Sequence, residues 1–73
     1  MKFNEFEQAE RRLFIEHDKL LLAKLLKLHY KYYKKLTFKD VLMIYGSMYD
    51  YWVYTEQEEK EIIAYAIKQF NQD

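Results

Sequence analysis

The sequence predicts an all-α protein, a small three- or four-helix bundle with short connections that self-associates. The 73-residue chain has no proline and a single glycine, Gly46, so it lacks the usual turn residues of β-hairpins and long loops. Hydrophobic residues make up 51% of the chain and recur at helical spacing. A chain this short buries only about 60–65% of its unfolded surface, so a partner copy would add stability. We therefore predict one helical domain over residues 1–73 that forms a homodimer.

The first predicted helix covers residues 4–17. Asn4 followed by Glu7 has the spacing of a capping box, and Phe3 is placed to act as a hydrophobic staple. The apolar residues on one side of this segment are Phe6, Ala9, Leu13 and Phe14.

The second predicted helix covers residues 18–36, and its apolar face is rotated by roughly 120° from the first. That face is formed by Leu21, Leu22, Leu25, Leu26, Leu28, Tyr32, Tyr33 and Leu36. Asp18 would lie in the middle of this face if one helix ran through, and aspartate is a good N-cap. We therefore predict a break or sharp kink at His17-Asp18. The alternative is one long helix that contacts different neighbours at its two ends.

The third predicted helix covers residues 38–53 and begins after Thr37, with Asp40 three residues further on. The residues on its apolar side are Phe38, Val41, Leu42, Tyr45, Met48, Tyr49 and Trp52. The phase is unbroken across Gly46, which predicts that this glycine lies on the exposed side of a continuous helix.

The fourth predicted helix covers residues 56–71. Thr55 and Glu58 form the clearest capping box in the chain. The predicted buried stripe consists of Ile62, Ile63, Ala66, Ile67 and Phe70.

Charge is segregated along the chain although the formal net charge is zero. Residues 1–18 carry three basic and five acidic groups, and residues 19–39 carry seven lysines and no acid. Residues 40–73 carry two lysines and seven acids. A basic central block between acidic flanks indicates that one side of this pattern meets a partner.

A row of lysines is predicted on the solvent side of the second helix, and it could neutralise phosphates of a nucleic acid. These nucleic-acid candidates are Lys24, Lys27, Lys31, Lys34 and Lys35. Tyr30, Tyr32 and Tyr33 could stack on unpaired bases. Two structural interpretations stand beside this one. The lysines could solvate a core helix with Tyr32 and Tyr33 packed inside, or they could pair with the acidic flanks.

Two further patterns in the chain have the spacing of binding motifs. Gly46, nine residues after Thr37, has the spacing of a helix-turn-helix, but the unbroken helical phase argues against a turn there. The leucine- and lysine-rich segment 18–28 is also typical of helices that lie on anionic membranes. With three other amphipathic helices in the chain, its leucines are better explained as core residues.

The residue types needed for catalysis or metal binding are scarce. Cysteine is absent, and neither His17 nor His29 has a second ligand at helical spacing. Ser47 has no base at a suggestive spacing, and one glycine cannot form a phosphate-binding loop. We therefore predict no enzyme activity, no cofactor and no metal. No stretch has the length of a membrane span and no signal peptide is evident, so we expect a cytoplasmic protein.

The resulting functional prediction is a small non-catalytic interaction protein, an adaptor or inhibitor that binds another macromolecule, with a protein as the expected partner. The protein-interface candidates are Met43, Tyr51, Tyr54, Glu56, Glu58, Glu59, Glu61 and Tyr65. Tyrosine and methionine are enriched at interfaces, and an acidic helical face suits a basic partner. The alternative is a nucleic-acid-binding regulator that uses the lysine row.

Overall fold

A computed structural model describes residues 3–48 and 54–72, with side chains from residue 7 onward. It contains three helices, α1 (Phe3–Tyr33), α2 (Phe38–Ser47) and α3 (Glu56–Asn71). The prediction of an all-helical small bundle is confirmed, and the described residues include no strand. Some predictions concern residues outside this description, namely the side chains of Phe3 and Phe6 and all of Tyr49, Tyr51 and Trp52.

α1 contacts both shorter helices. Arg11 bonds Glu58 near the start of α1 and α3, and the rings of Tyr30 and Phe70 meet near their ends with centroids 5.5 Å apart. α3 therefore runs parallel to α1. The start of α2 lies against His29, in the last third of α1.

α1 continues without interruption through His17-Asp18, so the predicted helices 4–17 and 18–36 are one helix. The predicted break was wrong. Asp18 does not cap a helix: it is only 4% exposed, and its Oδ2 accepts a hydrogen bond from the Tyr54 hydroxyl at 2.7 Å. Because a buried polar group is tolerated when it is hydrogen-bonded, Asp18 lies within the apolar stripe without ending the helix.

The ends of α1 also differ from the prediction. The helix begins at Phe3, so Asn4 lies inside it rather than at the cap, and it ends at Tyr33 instead of residue 36. Lys34 has a φ of 56°, and its N–H donates to the Tyr30 carbonyl at 2.7 Å. A left-handed residue at this position is a common way to end a helix, although glycine usually occupies it.

The core lies along one stripe of α1, where buried residues recur every three or four positions. The buried apolar residues are Ile15, Leu22, Ala23, Leu26, Val41, Ile62 and Ala66. Residues from α2, α3 and the connections pack around them half-buried: Leu36, Ile44, Tyr45, Met48, Tyr54, Ile63, Ile67 and Phe70. The stripe on α1 includes Leu22 and Leu26, which were predicted to be apolar-face residues, and also Asp18, which was predicted to break the helix.

Several residues predicted to be buried on α1 are in fact exposed. Leu13 is 72% exposed and Ala9 is also exposed, so the predicted face of the first segment is not the buried one. Leu28, Tyr32 and Tyr33 are exposed as well. The reason is geometric, because Ile15 and Asp18 face the other helices and the side of Leu13 then points away.

α2 begins after Thr37, as predicted, and starts with a capping box in which Thr37 and Asp40 bond each other's backbone N–H groups. The helix runs through Gly46, where an added Cβ would meet nothing within 4 Å, so the prediction of an exposed helical glycine is confirmed. It ends at Ser47 with Met48 as its C-cap, earlier than the predicted residue 53.

The buried side of α2 is also rotated from the predicted one. Val41 is buried and Ile44 is half-buried, whereas Phe38 and Leu42 are exposed. Apolar residues surround more than half of this helix, so periodicity alone did not indicate which of them meets α1.

α3 has the predicted bounds and the predicted capping box of Thr55 and Glu58. Ile62 and Ala66 are fully buried against α1, as expected from the stripe. No helix among the described residues combines the length and apolar character needed to cross a bilayer.

Candidate interaction surfaces

An ion-pair cluster joins the first half of α1 to the first half of α3. Arg11 pairs with Glu58 through two nitrogen–oxygen contacts, one of them 3.2 Å from Nε to Oε2. Glu61 Oε2 lies 2.6 Å from Arg12 Nη2 and 2.9 Å from Lys19 Nζ. The cluster fixes α3 against α1 from the amino-terminal end.

The cluster shifts the pKa values of its members. The hydrogen bond from Arg12, supported by one from Lys19, lowers the pKa of Glu61 to about 2. The hydrogen bond from Arg11 lowers the pKa of Glu58. In return, the hydrogen bond to Glu61 raises the pKa of Lys19. These shifts show that the charged forms are favoured, although the partly exposed pairs contribute less to stability than buried ones would.

The acidic residues predicted as interface contacts are therefore largely engaged within the chain. Glu58 and Glu61 are bonded to α1, and Glu56 lies 3.6 Å from Lys60 on its own helix. Glu59 is half-buried. The cations that pair with Glu58 and Glu61 are Arg11, Arg12 and Lys19, which precede the predicted lysine row in the chain.

Tyr54 and Tyr65 are half-buried and contact α1. The Tyr54 hydroxyl donates to Asp18, and His17 Nδ1 lies 3.2 Å from the other oxygen of that carboxylate. Lys19 Nζ lies 5.4 Å from the centroid of the Tyr65 ring. The sequence analysis singled out Asp18 in the middle of the apolar face but interpreted it as an N-cap, whereas in the structure it accepts a hydrogen bond from Tyr54.

The lysine row lies on the surface of α1 and the connection that follows it. All five members are exposed, and Lys24, Lys31, Lys34 and Lys35 make no ion pair within the described part of the chain. Exposed tyrosines accompany the row: Tyr30, Tyr32 (73%) and Tyr33 (70%). The interpretation that packs Tyr32 and Tyr33 inside the bundle was wrong.

The outward side of α2 is apolar. Phe38 and Met43 are each 60% exposed, and Leu42 beside them is exposed too. We call these three residues the α2 apolar face. The exposed Lys39 lies between Leu42 and Met43 in helical projection and adds a positive charge within the face. Met43 is the protein-interface candidate that the structure leaves most accessible.

Remaining polar groups of chemical interest are engaged in local contacts. The Ser47 hydroxyl donates to the Ile44 carbonyl of its own helix at 2.8 Å. His29 Nε2 lies 3.7 Å from Asp40, and its ring is 4.6 Å from that of Tyr33. Over residues 3–48 and 54–72, no three histidine, aspartate or glutamate side chains come together as a metal site.

A cleft of about 560 Å³ lies between residues 7–15 of α1 and the first turn of α3. Its lining residues include the Arg11–Glu58 pair, so its charges are already compensated by each other. Glu7 and Arg12 are the other charged residues that line the cleft.

Comparison with family models, with curated proteins and with solved structures finds no match to this chain.

Proposed function

We propose that this chain is a small non-catalytic interaction protein, of adaptor or inhibitor type, that binds another protein through the α2 apolar face. The observation that carries the proposal is the exposure of Phe38, Leu42 and Met43 on a helix whose opposite side is packed in the core. Aromatic residues and methionine are enriched at interface cores. A partner would remove these side chains from water.

The residues around the α2 apolar face indicate which kind of partner surface would bind it. Lys34, Lys35 and Lys39 are exposed near it in the chain, so the partner surface should be apolar with an acidic rim. Gly46 leaves open space beside the same helix, so a partner backbone can approach closely. Of the predicted protein-interface candidates, Met43 remains a proposed contact. Glu58 and Glu61 are no longer proposed as contacts because residues of α1 already bind them.

The test is an affinity pull-down from the native host with the full chain and two glutamate variants. Met43→Glu introduces a charge on the α2 apolar face, and Ala64→Glu introduces the same charge at an exposed position of α3. We expect a nuclease-resistant protein partner that is retained by A64E and lost by M43E. Retention by both variants, with helicity unchanged, would contradict binding through α2.

A second candidate function is that of a nucleic-acid-binding regulator. It is favoured by the lysine row without described ion pairs at four positions and by the exposure of Tyr32 and Tyr33. Lysines neutralise phosphates, and tyrosine rings stack on unpaired bases of any sequence. The ligand should therefore be single-stranded rather than duplex.

This candidate is tested by fluorescence anisotropy with labelled single-stranded DNA and RNA across a salt series. Replacing Lys27, Lys31 and Lys34 by glutamine should weaken binding and flatten the salt slope by about 0.7 for each phosphate that is no longer neutralised. Replacing Lys60 and Lys68 on α3 is the matched control and should have little effect. Equal weakening in both variants would indicate non-specific attraction and would argue against the lysine row.

We further propose self-association as a homodimer, supported by the exposed leucines of α1 that lie outside the core, Leu13, Leu20 and Leu28. The cytoplasmic location expected from the sequence stays a prediction.

A further inference from the structure

A second apolar stripe on α1 lies outside the core, and at Leu20 it borders Tyr65 and Gln69 of α3. Leu13, Leu20 and Leu28 are all exposed, and they recur at seven- and eight-residue spacing along the helix. Exposed polar residues lie on the same side of the helix, between and beyond these leucines. We define the outer face of α1 as Glu10, Leu13, His17, Leu20, Lys24, Leu28 and Lys31.

Charge is ordered along the outer face of α1. Its only acid, Glu10, lies toward the amino end, whereas Lys24 and Lys31 lie toward the carboxyl end. Parallel pairing of two such faces would place each lysine beside the same lysine of the second copy. Antiparallel pairing about a two-fold axis at Leu20 places Glu10 level with Lys31 of the second copy. In this arrangement leucine contacts leucine at the two-fold axis, because Leu20 approaches Leu20 of the second copy.

We propose that two copies of this chain form an antiparallel dimer through the outer face of α1, with Glu10 of each copy opposite Lys31 of the other. The inference rests on the proposed self-association and is independent of the α2 apolar face. It leaves Lys34 and Lys35 outside the contact.

The dimensions of α1 suit this arrangement. Residues 10–31 extend over about 30 Å at the helical rise, which is long enough for several layers of side chains. A surface depression of about 380 Å³ is lined, among the described residues, by Glu10, Leu13, Phe14 and His17. In the antiparallel pair this depression lies level with Leu28 of the second copy, whose side chain can enter it. The two-fold repeats the contact at the other end.

The first test measures the molar mass of the full chain by sedimentation equilibrium from about 10 μM to 1 mM. We expect a dimer for the natural sequence and a monomer for Leu20→Glu. The matched control Leu42→Glu changes an exposed leucine of α2 and should remain dimeric. Circular dichroism of each variant checks that helicity is kept, as expected for substitutions at exposed positions.

The second test distinguishes the antiparallel geometry. Glu10→Lys and Lys31→Glu should each weaken dimerisation by about tenfold, because each creates two like-charge contacts per dimer. The double variant should restore the natural affinity, since it only exchanges the two charges. A strict monomer at 1 mM overturns both the self-association and this interface. A dimer that survives in Leu20→Glu overturns the interface alone, and failure of the double variant to recover overturns the antiparallel pairing.

Discussion

Replacing Tyr54 by phenylalanine removes one hydroxyl group and leaves the ring in place. In the natural protein that hydroxyl donates a 2.7 Å hydrogen bond to Asp18, a carboxylate that is only 4% exposed. Loss of a hydrogen bond to a buried charged group costs about 1.5–3 kcal/mol. His17 still lies 3.2 Å from the same carboxylate, which favours the lower half of this range. We expect Tyr54→Phe to lower the free energy of unfolding by about 1.5–2 kcal/mol.

The assay is urea unfolding followed by circular dichroism, with thermal unfolding in parallel. For a domain of this size the expected loss corresponds to a fall in Tm of about 6–16 °C. A double-mutant cycle separates the hydrogen bond from other effects of each change. Asp18→Leu alone leaves the Tyr54 hydroxyl without its acceptor, whereas Asp18→Leu with Tyr54→Phe removes both polar groups and should recover most of the lost stability. A loss below about 0.5 kcal/mol in Tyr54→Phe, or identical losses in both Asp18 backgrounds, would refute this account.

Three further predictions concern the backbone and the charge cluster. Gly46→Ala should raise the free energy of unfolding, measured by urea unfolding, by about 0.5–1 kcal/mol, because the site is helical and an added Cβ has open space around it. Destabilisation would show that the added methyl group is obstructed. Lys34→Gly should stabilise by about 0.5–1 kcal/mol because Lys34 has a φ of 56°, whereas Lys35→Gly, where φ is not positive, should not. The pKa values of Glu58 and Glu61 are lowered in the folded state, that of Glu61 to about 2. The stability that these two carboxylates contribute is therefore complete above their unfolded pKa of ~4.3 and is lost as pH falls toward 2. Tm measured from pH 6 to pH 2 should decline over that interval, less steeply in Glu61→Gln, and an unchanged slope in that variant would count against the pair.

The helix caps show which features can be predicted from the sequence. The bounds of α3, its capping box and the start of α2 after Thr37 were predicted because each depends on residues within one turn, whereas the capping box predicted at Asn4 was wrong because α1 begins one residue earlier. The exposed Gly46 was predicted because the helical phase on its two sides agrees. These features are determined by local contacts that any folded arrangement of the helices would keep.

The candidate surfaces were predicted only in part. The exposed lysine row and Met43 were identified, but the exposure of Phe38 and Leu42 was not. Seven of the eleven residues from 38 to 48 are apolar, so several faces of α2 were equally suitable for the core. Only the position of α1 decides which face is covered.

What the sequence by itself determined is an all-helical chain, the start of two helices and the segregation of charge. Tertiary structure decided which side of α1 is buried and which cations neutralise the glutamates of α3. The physical reason is distance along the chain. Asp18 is tolerated inside α1 because Tyr54 donates to it from 36 residues away, and Glu61 is bound by Arg12 from 49 residues away. Local patterns carry no information about such partners, so the break predicted at Asp18 and the partner surface predicted on α3 both depended on contacts that only the folded chain makes.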